Sequence, residues 1–446
     1  MMKQYDSYKD SGVEWIGKIP SHWEVVPLKR KMRIIRGGSP RPIEKYLSNN
    51  GYNWIKIGDT IKGDKYIRST SQKIKTEGLS ATRLVRRGDL ILSNSMSFGE
   101  PYIIELEEGC IHDGWLSLSH LNDVDKEFLY YTLLSDLCKK QFESSVDGGV
   151  VKNLNIDKAG YAIIFIPPIS EQRSLVSYLD EKCGKIDKAI ATQEKRVELL
   201  KELRQNIITQ AVTCGINPDA PLKDSGVEWI GEVPEHWKVC RIKNVLKQGA
   251  DSIKIGPFGS SLTGKVGADL EYKVYGQWNI VGADFNAGTN TVNKETFDEL
   301  SKSYKVISGD ILVSMMGTIG KCAVIPEGIQ EGIMDSHVVK IRLNDSIMIG
   351  SYFEYIYDKD KSNVIFNQLQ KMKGGSIMDG LNSTIIKSLT ILVPPLSEQQ
   401  EIVSYIESQT ARLDKSIEKA EHQIELLQEL KQSIITEVVT GKRKVD

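Results

Sequence analysis

Residues 9–29 read KDSGVEWIGKIPSHWEVVPLK, and residues 223–243 read KDSGVEWIGEVPEHWKVCRIK. The first nine residues of the two stretches are identical at an offset of 214 positions. A repeat of this kind decides how the rest of the chain is interpreted. Solenoid proteins repeat every ~20–50 residues, so this much longer offset predicts a duplicated unit of domain size.

A second repeat follows each of these stretches after a region of divergent sequence. Residues 166–213 begin IPPISEQRSLVSYLDEKCGKIDKAI, and residues 393–440 begin VPPLSEQQEIVSYIESQTARLDKSI, with about half of the positions identical at an offset of 227. The chain therefore alternates divergent and repeated blocks. The predicted boundaries are 1–165, 166–215, 216–392 and 393–446.

Each repeated block has the period of a long helix that packs along one seam. Apolar residues recur at alternating steps of four and three, which is coiled-coil spacing. We expect Ser170 and Ser397 to act as N-caps after the paired prolines and Gly215 and Gly441 to stand at the C-caps. The seam of the first helix is Leu179, Cys183, Ile186, Ile190, Gln193, Val197, Leu200, Arg204, Ile207 and Ala211. The seam of the second helix is Ile406, Thr410, Leu413, Ile417, Ala420, Ile424, Leu427, Lys431, Ile434 and Val438.

Two such similar helices favour packing on each other as an antiparallel coiled coil with an approximate twofold axis, although a core helix within a larger domain is the alternative. The divergent blocks alternate strand-like and helix-like segments joined by glycine-rich loops, which predicts an α+β fold with two similar α/β domains. Predicted strands are 53–58, 89–93, 162–166, 273–280, 310–314 and 338–343. Predicted helices are 125–142, with Asn122 or Asp123 as cap, and 351–358.

The composition is that of a folded protein without a membrane span or a disulfide framework. Hydrophobic residues make up 40% and charged residues 26%, which are ordinary values. The longest apolar run, 161–169, is broken by two prolines and falls short of the ~18 residues that span a bilayer. The N-terminus is polar, so we expect no signal peptide and a cytoplasmic location. Cys110 and His112 lie close together, but the six scattered cysteines form no zinc-ligand pattern.

The net charge is −1, which by itself argues mildly against nucleic acid, but the basic residues are concentrated. Residues 29–41 (KRKMRIIRGGSPR) hold six cations and no acid, and 254–265 (KIGPFGSSLTGK) is a second glycine loop. Lys and Ser suit phosphate contacts, Arg suits guanine, and glycine lets backbone approach a ligand. The candidate DNA-binding residues are Lys29, Arg30, Lys31, Arg33, Arg36, Gly37, Gly38, Arg41, Lys254, Phe258, Gly259, Ser260, Ser261, Lys265 and Lys373.

Motifs for catalysis do not emerge from the sequence. Residues 259–265 (GSSLTGK) resemble a phosphate loop, but Val266 stands where magnesium binding needs Ser or Thr. His22 and His236 occupy matching repeat positions beside a tryptophan, so we expect them to pack a shared turn. We therefore expect a chain with no catalytic and no metal-binding residues. An ATPase acting through Lys265 and a coiled-coil scaffold that presents two protein-binding modules are the alternatives.

Taken together, the motifs resemble the specificity subunits of type I restriction–modification systems over essentially the whole chain. They are SGVEWIG-x-x-P-x-HW at 11–23 and 225–237, GPFGS at 256–260, SMMGTIGK at 314–321, and PP-[IL]-SEQ at 167–172 and 394–399.

The resemblance implies a non-catalytic subunit that binds double-stranded DNA. Residues 1–165 and 216–392 would be target-recognition domains, each reading one half of a split site, and the helices of 166–215 and 393–446 would set the unread gap. It also implies docking of two methyltransferase subunits, through which motor-nuclease subunits join. S-adenosylmethionine, ATP and Mg²⁺ would be bound by those partners and not by this chain. Because the two divergent blocks differ, we expect the two half-sites to differ in sequence.

Overall fold

The structure of the protein is a computed structural model, which describes residues 4–61, 63–95, 98–145, 154–249, 251–372 and 381–445. The chain divides into two compact units, Met1–Glu194 with His422–Asp446, and Lys195–Glu421. Within the described ranges, no helix combines the length and the apolar character needed to cross a membrane.

The first unit is rich in short strands. Its strands are β1 Tyr8–Asp10, β2 Lys18–Pro20, β3 Glu24–Pro27, β4 Arg33–Arg36, β5 Leu47–Ser48, β6 Tyr52–Ile55, β7 Tyr66–Ile67, β8 Gln72–Ile74, β9 Arg83–Arg86, β10 Leu90–Ser93, β11 Pro101–Ile104, β12 Glu108–Ile111, β13 Trp115–Ser119 and β14 Ile163–Ile166. Its α-helices are α1 Lys126–Leu134, α2 Asp136–Ser145, α3 Ile156–Tyr161 and the start of α4 Ile169–Cys214. Short 3-10 helices lie at Leu28–Arg30, Ile43–Lys45, Ile57–Asp59 and Thr76–Ala81.

The second unit repeats this arrangement. Its strands are β15 Leu222–Asp224, β16 Glu232–Pro234, β17 Lys238–Arg241, β18 Ile253–Ile255, β19 Tyr272–Tyr275, β20 Thr291–Val292, β21 Lys305–Val306, β22 Ile311–Ser314, β23 Cys322–Val324, β24 Gly332–Met334, β25 Val338–Ile341 and β26 Thr390–Val393. Its helices are the 3-10 helix Ile242–Asn244, then α5 Gly259–Leu262, α6 Gln277–Val281, α7 Lys294–Tyr304, α8 Gly350–Tyr357, α9 Val364–Met372, α10 Ser383–Ser388 and α11 Leu396–Val439, which ends in the first unit.

The two units share a sheet topology, which confirms two similar α/β domains in an α+β fold. One sheet runs β4-β13-β10-β11-β7 in the first unit and β18-β25-β22-β23 in the second. The other runs β5-β8-β6-β12-β9 and β20-β19-β24-β21. In each, a parallel pair (β6 with β12, β19 with β24) lies beside an antiparallel partner. The two copies of the duplicated sequence therefore adopt the same fold.

Each unit contains an antiparallel stretch of the two long helices. In the first unit Asp187 pairs with Lys431 at 2.6 Å, and Tyr178 accepts a hydrogen bond from Arg443. In the second unit Lys201 pairs with Glu421 at 2.8 Å, and Arg204 pairs with Asp414 at 2.7 Å. Partner numbers fall as helix numbers rise, so the predicted antiparallel packing is confirmed within each unit.

The predicted seams are confirmed, because every seam residue of α4 and α11 is buried or half-buried. The two cations that interrupt the apolar seams, Arg204 and Lys431, occupy matching repeat positions and make the matching ion pairs just described. Their aliphatic stems lie along the seam while their charged ends reach Asp414 and Asp187.

The glycine C-caps are confirmed and the serine N-caps are wrong. Gly215 and Gly441 follow the two helices with φ of 75° and 69°, the left-handed conformation that glycine adopts without a Cβ penalty. The helices begin at Ile169 and Leu396, one residue before each serine. The carbonyls of Pro168 and Pro395 accept the first helical bonds, from Gln172 and Gln399.

Three segment predictions need correction. Residues 125–142 form two helices, α1 and α2, and the cap is Asp125, whose carboxylate accepts bonds from the backbone of Glu127 and Phe128. Residues 273–280 leave the strand after Tyr275 and turn into α6, and 53–58 likewise end as a strand at Ile55. In both cases a side chain at the end of the turn accepts the backbone bond that would extend the strand: Asp59 from Lys56 and Asn279 from Gly276.

The repeated stretches 9–29 and 223–243 meet the starts of the long helices, in each unit, at a site we call the helix joint. In the first unit Glu171 accepts hydrogen bonds from the indole of Trp23 at 3.2 Å and lies 2.8 Å from His22. In the second, Glu398 accepts from Trp237 at 3.0 Å and lies 2.7 Å from His236. The histidines pack a shared turn, as expected. The SGVEWIG-x-x-P-x-HW and PP-x-SEQ motifs therefore recur together because they bind each other.

Candidate nucleic-acid interface

In the first unit, the loop that follows β4 lies against the turn between β12 and β13. The Gly37 amide donates to the carbonyl of Trp115 at 2.9 Å, and a Cβ on Gly37 would lie 2.1 Å from the His112 carbonyl oxygen. Only glycine fits this approach. The amide of Gly38 donates to the Ile111 carbonyl at 3.2 Å. We call residues 37–41, 56–58, 94–95 and 112–114 the first loop cluster.

Asp113 organises the polar groups of this cluster. The Ser39 hydroxyl donates to its carboxylate at 2.8 Å, and Arg36 Nε donates to its backbone carbonyl at 2.9 Å. Partial burial raises the pKa of Asp113, but the Ser39 hydrogen bond and the nearby Arg36 outweigh it and hold the pKa below its ordinary value. Arg41 lies 3.6 Å from the same carboxylate with 83% of its side chain exposed. The cluster thus fixes one arginine and presents the other.

A cleft of about 790 Å³ opens beside Arg41. Trp54, Ile57 and His112 form its apolar side, and Lys56 stands at its edge. Burial lowers the pKa of His112, and its Nδ1 accepts a hydrogen bond from the Gly114 amide at 2.8 Å. A neutral imidazole therefore lines the cleft. The cationic groups are Arg41 and Lys56 within the cluster and Arg36 directly before it.

The basic run of 29–41 is divided by the fold. Lys29 lies over the ring of Tyr161 at 3.4 Å, and Lys31 pairs with Glu24 at 2.7 Å. Arg30 is exposed in the 3-10 helix that precedes β4, and Arg33 is exposed at the start of β4. Of the six predicted cations, the structure therefore brings Arg36 and Arg41 together at the loop cluster.

The second unit builds a matching cluster. The Gly256 amide donates to the Val338 carbonyl at 2.9 Å, and a Cβ on Gly256 would lie 1.9 Å from the carbonyl oxygen of Asp335. Gly256 therefore takes the place of Gly37, although the two loop sequences differ. We call residues 256–260, 276–278, 315–316 and 335–337 the second loop cluster.

Two further hydrogen bonds occupy equivalent positions in the two clusters. The Asn94 amide donates to the Gly114 carbonyl at 2.9 Å, and the Met315 amide donates to the His337 carbonyl at 3.1 Å. The Leu154 and Leu381 amides in turn donate to the carbonyls of Asn94 and Met315, at 2.9 and 3.1 Å. The backbone scaffold of the two clusters is thus the same.

The second cluster exposes large apolar side chains, unlike the first. Phe258 is 86% exposed and Met316 is 48% exposed. The Gln277 amide donates to the carbonyls of Met316 and His337 at 2.9 and 3.3 Å, which ties α6 to the cluster. Gln277 and Met316 are not among the residues predicted from sequence, because only the paired strands show that 276–278 and 315–316 approach 256–260.

The remaining candidates of the second unit lie partly within this cluster and partly around it. Gly259, Ser260 and Ser261 lie in the short helix α5, and Lys254 lies in β18 opposite Lys340. Lys265 is bound to Glu299 at 2.9 Å, so its charge is already paired. Lys373 lies outside the described residues.

The chain is similar to one family of proteins along most of its length. The family model described as the type I restriction modification DNA specificity domain matches residues 20–202 and 234–426. Each matched segment spans one loop cluster and most of the long helix that follows it.

Individual relatives agree with that match. The chain is 22% identical over 448 residues to the type I restriction enzyme MjaVIII specificity subunit of Methanocaldococcus jannaschii, covering 96% of this chain and 94% of the relative. It is 21% identical over 457 residues to the EcoKI specificity subunit of Escherichia coli K12, covering 96% and 90%. A chain from a solved type I restriction–modification assembly has a TM-score of 0.67 at 17% identity, covering 95% of this chain and 99% of that one, and it supports the fold.

Proposed function

The chain belongs to the type I restriction–modification DNA specificity family, and we propose that it is the subunit that selects the DNA target of such a complex. Residues 1–165 and 216–392 act as target-recognition domains, and 166–215 with 393–446 form the helical spacer between them. The chain reads a split, asymmetric site with a fixed gap and carries out no chemistry itself.

The observation that carries this proposal is the matched pair of loop clusters. Their backbone scaffold is the same, since Gly37 and Gly256 make equivalent hydrogen bonds and equivalent close approaches. Their exposed side chains differ, with Arg41 in one and Phe258 in the other. One scaffold with two surface chemistries suits a protein that docks twice on the same kind of polymer and reads different bases each time.

Partners of the complex supply what this chain lacks. We propose that it binds two methyltransferase subunits, through which motor-nuclease subunits join, and that S-adenosylmethionine, ATP and Mg²⁺ are held by those partners. Exposed leucines on the long helices support two equivalent docking sites, because Leu199 and Leu203 on α4 have the same repeat positions as Leu426 and Leu430 on α11. These four side chains are 47–51% exposed. A cytoplasmic location remains a prediction.

The helical spacer acts as a ruler in this proposal. Helix α4 runs without interruption through 46 residues, which corresponds to about 70 Å. Four residues inserted within 186–207 would add about 6 Å and slightly more than one helical turn, close to two base-pair steps of about 3.4 Å. We expect a longer gap or a loss of methylation, with both half-site sequences kept. The same insertion between Asn217 and Pro218, beyond the helix, is the matched control, and an unchanged gap in the helix variant would remove the ruler role.

The proposed function is tested by co-expressing the chain with its methyltransferase partner and mapping methylated adenines by single-molecule sequencing. We expect one bipartite motif with a fixed gap and two different half-sites, and none when the methyltransferase is expressed alone. A continuous or palindromic motif would contradict the proposal that two different domains each read one half-site.

Salt dependence distinguishes this function from the scaffold alternative. Duplex binding that neutralises several phosphates weakens steeply as salt rises, because counterions are released. A complex whose duplex affinity is absent or insensitive to salt between 50 and 200 mM, roughly the range in which such contacts lose orders of magnitude, would favour a protein-binding scaffold.

A further inference from the structure

Arg41 and Phe258 stand at the tips of equivalent loops, four and two residues after the glycines that anchor them. The equivalence of the two glycines rests on backbone hydrogen bonds. Counted along the sequence from these glycines, Ser260 takes the place of Arg41 and Ser39 takes the place of Phe258. Each exposed group is therefore absent from the other cluster. The two loops therefore start from equivalent glycines and then present different chemistry.

Resting on the proposed function, we propose that the first cluster reads a guanine through Arg41 and that the second reads the methyl group of a thymine through Phe258.

Arg41 has the geometry of a base-reading group. Arg36 is held by the carbonyl of Asp113 and Ser39 occupies the Asp113 carboxylate, while the guanidinium of Arg41 stays 3.6 Å away and largely in solvent. Asp113 nevertheless keeps a negative charge beside it, since the pKa of Asp113 lies below its ordinary value. This carboxylate limits the directions that the guanidinium can take. A guanidinium presented in this way matches the O6 and N7 acceptors of guanine, the commonest specific contact of arginine in the major groove.

Phe258 offers the opposite chemistry. An aromatic side chain with 86% exposure is unfavourable in water unless a ligand covers it. Met316, half exposed, belongs to the same cluster through the bond from Gln277 to its carbonyl. The major groove presents one apolar group, the C5 methyl of thymine, and Phe is among the side chains that contact it.

The surroundings of Phe258 favour DNA over a protein as its occupant. Lys254 lies four residues before it, and the exposed Ser260 lies two residues after it; both types of side chain make phosphate contacts. The second cluster also has the same backbone hydrogen bonds as the first cluster, at which Arg36, Arg41 and Lys56 lie. These three cations suit a polyanion at the first cluster. Because the two clusters are built alike, we infer the same occupant at the second.

The test uses the complex of the full chain with its methyltransferase partner and duplexes of the mapped motif. Each guanine of the first half-site is replaced in turn by 7-deazaguanine, which lacks N7, and each thymine of the second by deoxyuridine, which lacks the methyl group. We expect one position in each half-site at which the wild-type complex loses about 5-fold or more in affinity.

Matched variants assign those positions to residues. Arg41→Ala should bind the 7-deazaguanine and guanine duplexes equally while keeping its sensitivity to deoxyuridine. Phe258→Ala should show the reverse pattern. Each variant thus serves as the folding control for the other, because the retained sensitivity requires a folded complex.

The outcomes separate this inference from the function on which it rests. If no bipartite motif is methylated, the proposed function fails and the inference fails with it. If a motif is mapped but neither analogue lowers affinity more than about 2-fold at any position, the inference alone is wrong. If Phe258→Ala weakens methyltransferase binding and leaves the deoxyuridine effect in place, Phe258 contacts a protein and the thymine assignment is overturned.

Discussion

The helix joints and the loop clusters are both present twice, but only the joints are chemically alike. Trp23 and Trp237 are fully buried and donate to Glu171 and Glu398 at 3.2 and 3.0 Å. At the loop tips, by contrast, the exposed residue is an arginine in one unit and a phenylalanine in the other, at different distances from the anchoring glycine. The joint holds a helix to a domain in the same way in both copies, whereas the loops present chemically different surfaces.

This difference explains where the repeat is visible in sequence. A buried hydrogen bond to an indole fixes the identity of both partners, because an unpaired buried donor costs about 1–3 kcal/mol. A loop tip is constrained where backbone approaches backbone, at Gly37 and Gly38 in the first cluster and at Gly256 in the second. The other loop positions differ between the two copies.

The largest expected effect comes from removing that shared glycine. Gly37→Ala and Gly256→Ala each place a Cβ about 2 Å from a carbonyl oxygen (2.1 and 1.9 Å), so the loop must leave its position. We expect each to lower specific duplex binding by roughly 100-fold or more, since the several base contacts of one half-site are lost at ~1–3 kcal/mol each. Fluorescence anisotropy with the mapped duplex measures the effect.

Gly184→Ala is the matched control for both variants. Nothing lies within 4 Å of a Cβ at Gly184, and alanine is the better helix former, so binding should be unchanged. If Gly37→Ala binds as the wild type does while Gly256→Ala does not, the equivalence of the two loops is broken and the first cluster does not face DNA.

The sequence predicts the repeated parts of this fold well and the clusters poorly. The period of the apolar seams identifies both long helices, because burial along a helix follows directly from the spacing of side chains. Even the interrupting Arg204 and Lys431 occur at one repeat position, and the structure explains them as matched ion pairs.

The loop clusters depend on contacts between residues that are far apart in sequence. Gly37 meets His112, and Gly256 meets Asp335, only after β4 pairs with β13 and β18 with β25. Nothing in the local sequence RGGSP indicates that its first glycine matches that of GPFGS. A local contact misleads the sequence pattern as well, which places Gln277 in a strand, although Asn279 ends that strand by accepting the Gly276 amide three residues before it.

A smaller and equal effect is expected at the two helix joints. Glu171→Ala and Glu398→Ala each leave a buried indole donor unpaired, which should lower the free energy of unfolding of the affected unit by about 1–3 kcal/mol. Hydrogen exchange measured by mass spectrometry reports each unit separately. Glu202→Ala, at an exposed site on α4, should leave protection unchanged. Clearly unequal losses in the two joint variants would show that the two joints do not stabilise their units equally.

The smallest expected effect is a pH dependence of stability in the first unit alone. It arises from His112, whose position in the second cluster is taken by Asp335. Burial lowers the pKa of His112 in the folded protein, so below its ordinary value of ~6.5 the unfolded chain binds a proton that the native state does not. Stability of the first unit should therefore be complete above pH 7 and fall as the pH drops through 6.5 toward the folded pKa, by at most about 1.4 kcal/mol per pH unit. Protonation would also remove the acceptor at Nδ1 that binds the Gly114 amide.

Comparing wild type with His112→Gln isolates this contribution, because the two proteins differ only at residue 112 and glutamine stays neutral. Hydrogen exchange at pH 7.5 and 5.5, corrected for the intrinsic exchange rates, should show a loss of protection around residues 112–114 in the wild type that is smaller in the variant. The second loop cluster, where Asp335 replaces the histidine, is the internal reference and should respond equally in both proteins. If the two proteins lose the same protection in the first cluster, the neutral imidazole is not what holds that loop against the glycine, and the backbone contact of Gly37 alone maintains it.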